Sequence, residues 1–121
     1  MKKLFISCPM RGRTEEAIKD TMERMHKIAE GLFGEELEVL PTYFEGEPPL
    51  FSNERLWYLG ESIKKMSEAD RFIGIYDAEK EYDGCIIENH TASSMVYRSI
   101  LLTSSILRRM SWKHAILCGS N

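Results

Sequence analysis

The chain predicts a doubly wound α/β domain, a mostly parallel sheet of four to five strands with helices on both faces. Three observations carry that reading. Short apolar runs alternate with helix-patterned segments four times along the chain, and such alternation builds parallel strands joined by crossover helices. The first apolar run ends in Ser7-Cys8-Pro9-Met10-Arg11-Gly12 and passes straight into an acidic helical pattern, a strand feeding a loop feeding a helix. Finally, 121 residues that are 43% hydrophobic and 29% charged suffice for one core and not for two, so residues 1–121 form a single domain.

Each element has its own local signal. Leu4-Phe5-Ile6 reads as a short buried strand. Thr14 is placed to cap a helix with Glu15 and Glu16 in its first turn, where the dipole favours acids. Ile18, Met22, Met25, Ile28 and Leu32 then recur at helical spacing as one apolar face, and Gly34 is a natural stop. Leu37 to Leu40 is a second strand, closed by Pro41. Residues 42–52 form a Gly/Pro-containing loop with Tyr43, Phe44 and Phe51, which either flap over a pocket or pack on the body.

A second helix is expected from about Asn53 to Glu68 with Leu56, Leu59, Ile63 and Met66 inward, and a third strand from Arg71 to Tyr76. An acidic loop leads to a third helix opened by Gly84 and reaching about Tyr97, followed by a strand over Ser99–Thr103. The tail, 104–121, is atypical. It starts amphipathic and offers a possible fifth strand at Ala115-Ile116-Leu117. Ile106, Leu107, Met110 and Trp112 make either a helix packed on its own sheet or a contact with another copy. The whole pattern is that of a Rossmann/flavodoxin-like sheet, in which ligands bind beyond the carboxyl ends of the strands. The 7–13 loop, the 42–52 loop and the 77–88 region then share one cleft.

Composition narrows the function. A net charge of −3 with no basic stripe argues against a nucleic-acid polymer as partner. No apolar run approaches the roughly 20 residues of a membrane span, and the N-terminal Met-Lys-Lys-Leu-Phe-Ile reads as a strand, not a signal peptide. Cys8, Cys85 and Cys118, and likewise His26, His90 and His114, are scattered. They match no zinc or redox spacing, so a reduced, cytoplasmic chain with no metal is expected.

The chemistry concentrates in two places. At the first, helix N–H groups and the helix dipole meet Arg11 and Arg13, a natural seat for a phosphate or carboxylate. At the second, Asp77, Asp83 and Glu88 follow the third strand. Glu88 lies in the first turns of the helix, where the dipole favours its ionised form, and it is preceded by Ile86 and Ile87. A carboxylate held against an apolar wall can attack an anomeric carbon. The plainer alternative is a solvated helix-start acid.

Together these features resemble the nucleoside 2-deoxyribosyltransferase-like superfamily, most closely its small bacterial and phage branch. The matching blocks are Ile6 to Gly12 (Ile-Ser-x-Pro-Met-Arg-Gly), Leu56 to Gly60 (Leu-Trp-Tyr-Leu-Gly), Ala69-Asp70, and Gly84 to Glu88 (Gly-Cys-x-x-Glu), in order over residues 1 to about 92. The resemblance implies N-glycosidic cleavage or base transfer on a deoxynucleoside or its 5′-monophosphate, with no cofactor. In that reading Glu88 is the nucleophile and Asp83 orients sugar hydroxyls. Ser7, Met10, Arg11, Gly12 and Arg13 cradle the 5′-phosphate, Tyr43 or Phe44 stacks on the base, and Asp77 and Gly84 line the same cleft. It also implies a homo-oligomer. The likeness departs at Ser62, where active relatives place an aspartate, and at Tyr82, which stands in for a sugar-binding aspartate. The Ser62 departure favours an alternative: a non-catalytic module for a nucleotide or ADP-ribose-like ligand. A vestigial cleft in an assembly subunit is a third option.

Overall fold

The computed structural model describes residues 1–8, 12–41, 46–75, 83–95 and 98–103, except for the side chains of residues 83 and 84. Its elements run β1 (Lys2–Ser7), α1 (Glu15–Phe33), β2 (Leu37–Val39), α2 (Glu54–Met66), β3 (Arg71–Ile75), α3 (Asp83–Met95) and β4 (Arg98–Leu102). Local chemistry sets several boundaries. Thr14 Oγ1 accepts from the Ala17 N–H at 3.1 Å and starts α1. Gly34, at φ 70°, ends it by donating its N–H to the Glu30 carbonyl at 2.9 Å, a left-handed cap that glycine adopts without steric cost. Asn53 Oδ1 accepts from the Leu56 N–H at 3.0 Å and starts α2.

The four strands pair in the order β2-β1-β3-β4, every pair parallel. This is the doubly wound, flavodoxin-like arrangement. Because side chains alternate across each strand, two core layers form. Leu4, Ile6, Ile73, Ile75 and Leu102 meet Met25, Ile28 and Ala29 of α1 on one face. Phe5 and Phe72 meet Met66 of α2 and Ala92 of α3 on the other. The two phenyl rings stack with centroids 5.8 Å apart. Phe72 is fully buried, and truncating a ring in that position typically costs about 3–5 kcal/mol.

The amino end of the sheet is fastened by polar contacts. Asp70 accepts the Lys3 N–H at 2.9 Å, and the Asp70 N–H returns a bond to the Lys3 carbonyl at 2.8 Å. Arg71 pairs with Glu35 at 3.1 Å and lies over the Phe33 ring at 5.5 Å. The Ala69-Asp70 block thus ties β1 to the start of β3, away from the carboxyl end where a ligand would sit.

Several expectations need correction. Leu56 is not inward but exposed. Met66 is the residue of α2 that is buried, so the helix is seated by its C-terminal turn and its first turn stands clear of the core. Leu32 is exposed too, because the buried stripe of α1 runs through Thr21, Met25, Ile28 and Ala29, and Phe33 takes the place against the core at the helix end. Phe51 does not pack on the body. The turn closed by Ser52 N–H and Oγ on the Pro49 carbonyl holds it at φ 64°, fully exposed. The suggested strand at 115–117 and the tail contact lie outside the described residues.

Candidate functional site

The strand order creates a switch point between β1 and β3. From β1 the chain moves outward to β2, then returns across the sheet to β3, so the carboxyl ends of β1 and β3 flank a crevice. Ser7 is the last residue of β1 and Ile75 the last of β3, and Ser7 is in register with Gly74. Their shared orientation aims Ser7 at the face covered by α2 and α3.

Glu88 enters this crevice from α3. Its neighbours Cys85, Asn89 and Ala92 recur at i, i+4 and i+7 and are buried against the sheet, so Glu88 sits at the edge of the inward face, half-buried. Ser7 is 1% exposed, and its Oγ donates to Glu88 Oε1 at 2.7 Å. The Ser62 hydroxyl of α2 also acts on this carboxyl and favours its charged form. Three elements distant in sequence converge on one acid.

Burial pushes the Glu88 carboxyl above the ordinary glutamate value of 4.5, while the hydrogen bonds from Ser7 and Ser62 pull the other way. This reverses the expectation that the helix dipole would favour its ionised form. Glu88 is five residues into α3, and the dipole acts mainly within the first turn; desolvation by burial is the stronger influence. A carboxyl with a raised pKa and a hydroxyl donor fixed on it by Ser7 can hold its proton or, once ionised, present an oriented nucleophile.

The other candidates separate. Gly12 adopts φ 76°, the left-handed turn that leads from the loop towards α1. Arg13 is folded back onto α1: Nη2 donates to Thr21 Oγ1 at 2.6 Å and to the Ala17 carbonyl at 3.2 Å, and Nη1 lies 3.8 Å from Cys8 Sγ. Its guanidinium braces the loop against the helix. Asp83 and Gly84 open α3, but the side chain of Asp83 is not described. Met10, Arg11, Tyr43, Phe44 and Asp77 lie outside the described residues.

Cys8 is buried beside this site. Burial raises its thiol above the ordinary value of 9.0, the Arg13 guanidinium opposes that, and the Glu88 charge adds to the rise. A thiol in that condition is protonated near neutrality and a poor nucleophile. Among the described residues there is no group of three or more His, Cys, Asp or Glu suited to a metal ion, and no helix long and apolar enough to cross a membrane.

One residue beside Glu88 escapes a reading for chemistry alone, while Ser62, already marked by the resemblance, lies one helical turn before the buried Met66, a spacing that places it inward. Asn89 is a polar residue in the middle of the Cys85–Ala92 stripe, and a buried amide there signals a specific bond. It makes one, Nδ2 to the Ile75 carbonyl at 3.1 Å. Comparison with protein-family models, with curated proteins and with solved structures finds no match to this chain.

Proposed function

We propose that the chain cleaves or exchanges the N-glycosidic bond of a (deoxy)nucleoside or its 5′-monophosphate, with Glu88 as nucleophile. The observation that carries this reading is the Glu88 carboxyl at the β1/β3 switch point, partly desolvated and held by the hydroxyls of Ser7 and Ser62. The ionised carboxylate attacks C1′, forming a C1′–Oε bond as the C1′–N bond breaks. The base leaves with the bonding electron pair and takes a proton from solvent. Water, or the nitrogen of a second base, then attacks C1′, gives up its proton to solvent, and releases Glu88 as carboxylate as the C1′–Oε bond breaks. The hydroxyl contacts fix the direction of the attacking oxygen, a contribution of positioning.

The second reading, a nucleotide- or ADP-ribose-binding module, is favoured by the same Ser62. A hydroxyl stands where it bonds Glu88, and a serine is a weak proton donor to a departing base.

The test is release of free base from a panel of deoxynucleosides and their 5′-monophosphates, run beside Glu88→Ala. Release that disappears in the variant supports the glycosidic reading. No release from any member, with a nucleotide still raising the melting temperature, supports the binding module.

A further inference from the structure

We propose that Asn89 is the positioning residue of the site: its buried amide, fastened to the Ile75 carbonyl and seated over Gly74, fixes the rotation of α3 that aims Glu88 at Ser7. The functional weight of this inference rests on the reading of Glu88 given above; the geometry stands by itself.

Asn89 is 2% exposed and lies between Cys85 and Ala92 on the face that α3 turns to the sheet. An apolar side chain would fill that place without any polar group to satisfy. The amide instead makes one directed bond, Nδ2 to the carbonyl of Ile75, the last residue of β3. Its Oδ1 is buried without a hydrogen-bond partner among the described residues. Exchanging the two ends of the amide would set Oδ1 against the Ile75 carbonyl, acceptor to acceptor, so one orientation is favoured. Packing alone does not explain why an unpaired acceptor occupies this stripe.

Gly74 supplies the other half of the device. A Cβ built there would collide with Asn89 Oδ1 and with the Phe72 ring. The bare backbone therefore lets α3 approach, and the glycine hydrogen on that side points at Oδ1, a weak C–H···O contact. Gly74 is in register with Ser7 on the adjacent strand. The same rung of the sheet thus carries the hydroxyl that bonds Glu88 and the gap that receives Asn89. Residues 88 and 89 are consecutive on one helix, about 100° apart around its axis. A helix whose rotation is fixed at Asn89 over Gly74 has its Glu88 fixed beside Ser7.

The test is titration of Glu88 followed by carboxyl-carbon NMR in the full chain, with Asn89→Leu and Asn89→Ser beside the wild type and Glu88→Gln for assignment. Base release from the same nucleoside and monophosphate panel is measured in parallel. If Asn89 positions Glu88, both variants lose the alignment with Ser7 and the Glu88 midpoint rises by about one pH unit. Where the wild type turns over, kcat falls about tenfold or more with little change in KM. A Glu88 midpoint that stays in place while only the melting temperature falls would make Asn89 a packing residue and overturn the proposal. Asn89→Ser, which leaves a small cavity, keeps the test available if Asn89→Leu does not fold. A shifted midpoint with no base release from the wild type overturns the catalytic reading alone, with Asn89 then aligning a ligand-binding carboxylate.

Discussion

Ser7 and Glu88, 81 positions apart in the chain, are joined by a 2.7 Å hydrogen bond at the carboxyl end of the two central strands. The bond links the end of the first strand to the last described helix, so the site exists only when the sheet and both helices of that face are assembled. It also opposes the effect of burial on Glu88.

Removing that opposition has a definite sign. Ser7→Ala and Ser62→Ala each delete a donor that favours the ionised carboxylate, so each raises the Glu88 pKa further. A hydrogen bond to a charged group contributes about 1.5–3 kcal/mol, which corresponds to a rise of about one to two pH units. If Glu88 acts as an ionised nucleophile, the acidic limb of the rate profile moves to higher pH by that amount. Measuring base release against pH for the two variants checks this. An unmoved limb would mean that another group governs it.

Glu88 also carries a stability cost. Its folded pKa lies above the unfolded value of 4.5, so the folded state holds the proton more tightly. The stabilisation this provides is complete below about pH 4.5 and is lost as the pH rises through the folded value. Above the folded value the ionised acid is a burden that a neutral amide lacks. Glu88→Gln should therefore raise the melting temperature more at pH 8 than at pH 4, as thermal scans at both values would show. A gain independent of pH would contradict the assigned shift.

What was legible in the sequence depends on the range of the interaction. Thr14, Gly34 and Asn53 mark helix ends through contacts three to five residues away, and the strands follow from short apolar runs. Ser7 and Glu88 were each recognisable as chemistry, but the bond between them depends on strand order and helix rotation. The direction of the Glu88 shift is hidden from the sequence for the same reason: the dipole is local, whereas burial depends on the assembled fold. Leu56 failed because periodicity shows which way a side chain points and not whether anything lies opposite. The contact of Asn89 is not legible in the sequence, because Gly74 and the Ile75 carbonyl come beneath it only in the folded sheet.

The Asp70 contact makes an independent acid-side prediction. The Lys3 backbone N–H holds the Asp70 carboxyl below the ordinary 3.8, with help from the charges of Lys2, Arg71 and Lys3. A depressed folded pKa contributes stability that is present above the unfolded value and lost as the pH falls through the folded one. Asp70→Asn should melt earlier than the wild type at neutral pH, and the gap should close as the pH is taken below 3.8. The carboxylate is fully exposed, so the gap is small and shrinks in high salt. A gap that persists unchanged into acid would point to a contact other than the charge-assisted bond to Lys3.

The two arginines of the first loop should part company. Arg13 is committed to Thr21 Oγ1, the Ala17 carbonyl and the neighbourhood of Cys8 Sγ, so it holds the loop to α1. Arg13→Met keeps much of the aliphatic stem and removes the donors. It should destabilise the fold by about 1–3 kcal/mol, since Thr21 is left buried with its hydroxyl deprived of that partner. Arg11 is the cation that the phosphate reading then depends on most. Arg11→Ala should raise KM for a 5′-monophosphate about tenfold or more while leaving the melting temperature and the KM for the unphosphorylated nucleoside near the wild-type values. Thermal melts and a matched pair of substrates, with and without phosphate, separate the two roles. If Arg11→Ala weakens both substrates equally, the loop does not read the phosphate and the anion-cradle interpretation fails.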